Sequence, residues 1–204
     1  MEEFDVRRVT VAFDWTARRR LQAALDTLSG EARVDDDLAR VETARAVVRL
    51  LLGALGAARA AFATTWRLGP EDAPARFDDE TQSLRGRYDV ETRRNASRRA
   101  VHLDPPRADE GAGYLVVTVL VGGMAGDPQV VQPHHRVGVA EALDRLLPDR
   151  GGLIALEVIW SPTEDADRLS PDELRALYPE LMVLDDEQGR PLGLPLGPAD
   201  GAPA

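Results

Sequence analysis

A single carboxylate interrupts the apolar run Leu-Ile-Ala-Leu-Glu-Val-Ile-Trp at residues 153–160, and a few positions later Glu164, Asp165 and Asp167 crowd together. Oxygen ligands gathered this way are what a hard divalent cation needs, so Glu157 with Asp165 or Asp167 could serve a metal-dependent hydrolase. A calcium loop of the EF-hand kind would need a glycine at its sixth position, and that glycine is absent. The end of the patch has a cheaper account. In Ser170-Pro171-Asp172-Glu173 the serine reads as a helix N-cap, the proline occupies the first helical position, and Glu173 completes a capping box. The remaining acids read as a solvated connector. For Glu157 itself, an unpaired buried carboxylate is expensive, and with 25 basic residues in the chain an arginine or backbone donors are expected to hold it. The sequence does not say which arginine. Glu157, Asp165 and Asp167 are thus the candidate polar site, with no catalytic residue, metal or cofactor assigned.

The other reactive side chains form weaker patterns. His134 and His135 are adjacent, with Asp127 nearby in sequence and His102 distant. Zinc needs three or four converging ligands, and neighbouring residues on extended backbone point apart. Arg18, Arg19 and Arg20 would fan around a helix at about 100° each, so they read as a solvated turn. No nucleophile elbow, P-loop, dinucleotide fingerprint or zinc-protease helix occurs.

Composition narrows the classes. The chain has 204 residues, 44% of them hydrophobic, which suits one domain with a proper core. Cysteine is absent, excluding disulfides, thiolate metal sites and thiol nucleophiles. Every basic residue is arginine, so lysine-dependent chemistry is excluded too. The net charge of −10 argues against nucleic acid or an anionic membrane as partner. The acidic start, MEEFDVRRVTVAFDW, contains no secretory h-region. Arg49 and Arg59 break the greasiest stretch, residues 46–66, and an arginine at a bilayer centre costs roughly 3 kcal/mol. No membrane span is expected, and the location expected is cytoplasmic.

Periodicity then places the elements. Residues 6–13 alternate as a half-buried strand. Leu21, Leu25 and Leu28 make a helical face that Gly30 ends. A long helix is expected from about residue 37 to 65, with Gly53 and Gly56 allowing close packing. A third helix is expected across 78–99, its arginines (Arg93, Arg94, Arg98, Arg99) gathered at the favourable end. Residues 114–123 read as a central strand buried on both faces, 137–147 as a short helix and 152–160 as a second buried strand. Parallel pairing of those two strands would make a βαβ unit, and the loop at 124–136 also permits an antiparallel pair. A helix at 171–178 and a short strand, Leu-Met-Val-Leu, complete the list. Within 153–160, Ile154, Leu156, Val158 and Trp160 form the greasier face, opposite Leu153, Ala155, Glu157 and Ile159. The fold class expected is α/β, with α+β possible: a small mixed sheet of three or four strands covered by about five helices. Residues 1–184 form one domain, and 185–204 a flexible acidic tail rich in proline and glycine.

The strand with Glu157 followed by Trp160-Ser161-Pro162, an acidic gap, and a short helix ending in Tyr178-Pro179 resembles the C-terminal part of the domain of unknown function 1517 family. A weaker likeness covers residues 6–30 and the stretch RFDDETQSLRGRYDVET, so the resemblance spans most of 6–184. Members are cyanobacterial and chloroplast thylakoid proteins of the fluctuating-light-acclimation type. The photosynthetic members carry a glycine-rich region and a membrane-spanning segment, neither expected in these 204 residues. The resemblance implies fold and module identity and no catalytic residues.

These readings favour a non-catalytic interaction or regulatory module whose partner is another protein. The alternatives are the hydrolase built on Glu157 and a small-ligand domain near the strand C-termini. Oligomeric state stays open.

Overall fold

The computed structural model describes residues 2–31, 37–101, 113–127, 129–148, 152–162 and 169–193, with backbone alone at residue 31 and from 88 to 101. Strand β1 (Phe4–Asp14) leads into α1 (Trp15–Glu31) and α2 (Asp37–Leu52). A single tight turn, Leu55–Ala57, then opens β2 (Ala58–Leu68), followed by α3 (Asp72–Val101). Next come β3 (Tyr114–Met124), α4 (Arg136–Asp144), β4 (Leu153–Ser161), α5 (Pro171–Leu177) and the two-residue β5 (Met182–Val183). Among the described residues this is an α/β fold of five strands and five helices. The strands lie in the order β4-β3-β1-β2-β5, and every pairing is antiparallel.

Helices cover both faces of the sheet. Val9, Val11 and Phe13 of β1 and Val117, Val119 and Val121 of β3 share one core with Leu21 and Leu25 of α1, Val47 and Leu51 of α2, and Leu143 of α4. On the other face Val6 and Leu120 pack with Ala73 and Phe77 of α3. Farther along that face, Ala12, Tyr114 and Val116 pack with Leu174 and Tyr178 at α5. The β1 strand is therefore buried along both sides rather than half-buried, because α3 and α5 cover the face that carries Arg8, Thr10 and Ala12.

Three expectations are corrected. The helix expected to reach residue 65 stops at Leu52, and 58–68 is β2. Its alanines favour helix locally, but Phe62, Thr64, Thr65 and Trp66 suit a pleated surface, and pairing with β1 wins. The mixed sheet of three or four strands is replaced by five strands paired wholly antiparallel, and of the two pairings left open for β3 and β4 the antiparallel one is realised, the two lying side by side. The strand at 152–160 is not buried but lies at the sheet's edge, half-buried along residues 155–160. A register shift at Gly122/Gly123 also exchanges two residues at its start: Leu153 is buried in the main core, while Ile154 is 53% exposed. Gly123 is required at that crossing, since a Cβ there would lie 2.4 Å from the Gly152 carbonyl oxygen.

Candidate functional site

Glu157 sits on β4 on the α3 side of the sheet. Gly122 and Ala155 leave space there for the Phe77 ring, which a Cβ on Gly122 would approach to 3.3 Å. Two helical turns beyond Phe77, Arg85 reaches Glu157 and donates to its Oε1 from Nη2 at 2.6 Å and from Nε at 3.1 Å. The carboxylate side chain is 21% exposed and the guanidinium 63%, so the pair is a half-covered ion pair at the sheet margin. Asp165 and Asp167, proposed from sequence to work with Glu157, lie outside the described residues, as do Glu164 and His102.

Deeper under α3 lies a charge network that the sequence reading missed. The α3 positions facing the sheet, Ala73, Arg76, Phe77, Glu80, Leu84 and Arg87, recur at three- and four-residue spacing, and half of them are charged. Arg8 donates to Glu80 at 3.1 Å and to Glu180, while Arg87 also reaches Glu180, at 2.5 Å. Arg8 further donates from Nε to Thr10, whose hydroxyl bonds that of Thr118. The arginines lie over aromatic rings as well: Arg8 over Phe62, Arg76 over Trp66 and Arg87 over Tyr178. Burial pushes the Glu180 carboxyl up, but its own backbone N–H and the two arginines outweigh that and hold it below the ordinary glutamate value.

On the opposite face, Asp5 is 1% exposed and accepts from Arg67, Arg7 and the Gly126 N–H. Burial alone would raise its pKa; these donors together lower it. Arg7 also donates to the Arg145 and Gly126 carbonyls, forming one wall of a cleft of about 410 Å³ shared with Met124, Asp144 and Pro148. The signal for both networks was present in Asp-Val-Arg-Arg-Val, since consecutive arginines in a strand must send one charge to each face. At the far end of β1, Asp14 caps α1 through the Thr16 N–H at 2.9 Å and pairs with Arg59 at 2.5 Å. Burial beside this pair pushes the Tyr114 hydroxyl up to about 12.

The remaining residues singled out in the sequence divide between structural roles and solvent. Ser170 caps α5: its Oγ accepts from the Glu173 N–H, and the Glu173 carboxylate accepts from the Ser170 N–H at 3.0 Å. Trp160, Ser161 and Pro162 end β4, with a cis Ser161–Pro162 bond and the Pro162 carbonyl accepting from Gln22 at 2.7 Å. Tyr178 is buried at the end of α5, and Pro179 is exposed. His134 and His135 are exposed, and Asp127, also exposed, pairs with Arg67. Among the described residues no three His, Cys, Asp or Glu side chains come together to hold a metal ion. Among them, too, no helix is long and apolar enough to cross a membrane.

Residues 3–184 match the family model described as "Protein of unknown function (DUF1517)". The chain belongs to this family. It is 32% identical over 114 residues to Protein FLAP1 homolog A of Synechocystis, a match covering 54% of this chain and 33% of that protein. It is also 32% identical over 120 residues to the chloroplastic FLUCTUATING-LIGHT-ACCLIMATION protein 1 of Arabidopsis thaliana, covering 56% of this chain and 30% of that one. The chain thus spans about a third of the length of these relatives. No solved structure matches it.

Proposed function

We propose that this DUF1517 chain is a non-catalytic module that works by contact with another protein. The observation that carries the reading is the Arg85–Glu157 pair. The carboxylate best placed for chemistry is tied to a helix, as Asp5, Asp14, Glu80 and Glu180 are tied to their own arginines. A general acid or metal ligand needs a lone pair or proton free to act, and here arginines compete for it: Glu157, Glu80 and Glu180 join α3 or the chain after α5 to the sheet, while Asp5 and Asp14 join β1 to β2. The Arabidopsis relative's name speaks of acclimation to fluctuating light, a response rather than a reaction, which suits a regulatory contact. The family match at 3–184 supports reading 1–184 as the working unit with 185–204 appended.

A small-ligand role is the second reading, favoured by the cleft walled by Arg7, Asp144 and Pro148. The hydrolase reading is tested by calorimetric titration of the full chain with magnesium, calcium, manganese and zinc ions. The module reading predicts no saturable heat with any of them. One-to-one binding of a cation that disappears in Glu157→Gln would overturn it.

A further inference from the structure

The two faces of the sheet are covered by different means. On one, α1, α2 and α4 dock through Leu21, Leu25, Val47, Leu51 and Leu143, all of them buried in the main core. On the other, α3 sets Ala73, Phe77 and Leu84 against the sheet, and charged groups fill the places between them. Arg76 pairs with Glu80 at 2.8 Å and lies over Trp66, and Glu80 also accepts from Arg8. Arg87 lies over Tyr178 and donates to Glu180, which accepts from Arg8 as well. The fit is incomplete: Arg76 Nε and Thr81 Oγ1 are buried without a hydrogen-bond partner. Such atoms regain water when the helix lifts, so they oppose docking. Buried ion pairs add little net hold, because releasing them returns each charge to water. Apolar side chains have no such compensation, so α1, α2 and α4 are held far more firmly. Of the covers on this sheet, α3 is the one most easily lifted.

We propose that α3 is a latched cover: its Asp72–Arg87 half lifts from the sheet as one unit when the charge hub at Glu180 is broken, while the sheet and the helices of the main core stay folded. The hub works through its position. Arg8 comes to it from β1 and Arg87 from α3, and both end on one carboxylate that belongs to neither element. Without that carboxylate, Arg8 keeps Glu80 and Arg87 keeps the Tyr178 ring, but two like charges lose the anion between them. The Arg85–Glu157 pair is the exposed margin of the same latch. The wider field acts in the same sense. Helix α3 carries seven arginines against six carboxylates, whereas the whole chain carries −10, so helix and remainder attract and salt weakens the attraction. Lifting uncovers Val6, Trp66 and Leu120 of the sheet. Because Glu180 follows α5, a change in that segment reaches a helix residue 93 positions earlier.

The test is native-state hydrogen exchange of the full chain, followed by mass spectrometry at several low urea concentrations. Amides of 73–87 should exchange through an opening roughly tenfold or more frequent than the one that exposes β1 and β3. That opening should depend less steeply on urea, because it exposes less surface, and should quicken as salt is raised. Glu180→Gln should quicken exchange of 73–87 roughly tenfold or more. Val47→Ala, on the opposite face, weakens the latched and lifted forms alike. It should therefore quicken β1 and β3 and leave 73–87 unchanged. If Glu180→Gln does not fold, Arg87→Met removes the same contact from its more exposed side, with the same expected result. Exchange of 73–87 in step with β1 and β3 in the wild type would overturn the proposal. So would a Val47→Ala variant that quickens all three alike, or a folded Glu180→Gln variant that leaves 73–87 unchanged.

Discussion

Asp5 shows what a buried carboxylate does in this molecule. Two guanidiniums and a backbone N–H converge on it, and their combined pull exceeds the cost of burial, so its native pKa lies below the ordinary aspartate value. A depressed native pKa stabilises the fold fully above the unfolded value of about 3.9, and that contribution is lost as pH falls through the native pKa. Glu180 adds in the same sense. Removing one partner of a buried pair typically costs roughly 3–5 kcal/mol, so Asp5→Asn is expected to be severely destabilised at neutral pH. Urea midpoints measured against pH should show the gap between wild type and variant closing in the acid limb. A gap that stays constant through that range would mean Asp5 is not ionised in the native state. Of these partners only Arg7, two positions along the same strand face, was within reach of the sequence; Arg67 and Gly126 are brought to Asp5 only by the pairing of β1 with β2 and β3.

At the scale of elements, legibility followed locality. The α5 cap was readable because Ser170, Pro171, Asp172 and Glu173 are consecutive and each type has one preferred place at a helix start. Ser170→Ala is expected to lower stability by about 1 kcal/mol, measured as a shift in the denaturant midpoint. An unshifted midpoint would show that the hydrogen bond seen at Ser170 contributes nothing. Strand β3 announced itself through β-branched residues, whereas β2 hid behind Ala58, Ala60, Ala61 and Ala63, whose local preference is helical. Whether a strand is central or at an edge is not written in its own residues. The charged strand β1 is buried on both faces and the greasy strand β4 is half-open, because sheet order decides coverage. The same holds after Leu184. Asp185 bridges His135, and Leu192 returns to donate its N–H to Leu184 and pack on the main core, so the chain stays attached through residues expected to begin a loose tail.

Across the whole molecule, ion pairs join elements distant in sequence. Arg8 ties β1 to α3 and to the chain after α5, Arg59 ties β2 to the start of α1, and Arg85 ties α3 to β4. An all-arginine cation set suits this work, since one planar guanidinium can hold two acceptors at once. Glu157 is where the account is most exposed, because the same carboxylate is the centre of the rival hydrolase reading. The sequence led to an expectation of an arginine or backbone donors at Glu157, and the fold supplies Arg85 from 72 positions away. The most direct measurement is a double-mutant cycle of Glu157→Gln and Arg85→Met, followed by urea unfolding near neutral pH with and without a chelator. The ion-pair account predicts a favourable coupling of about 0.5–1 kcal/mol, typical of a partly exposed pair, that the chelator leaves unchanged. Additive single mutants, together with a chelator-dependent loss of stability in the wild type that is absent from Glu157→Gln, would contradict it.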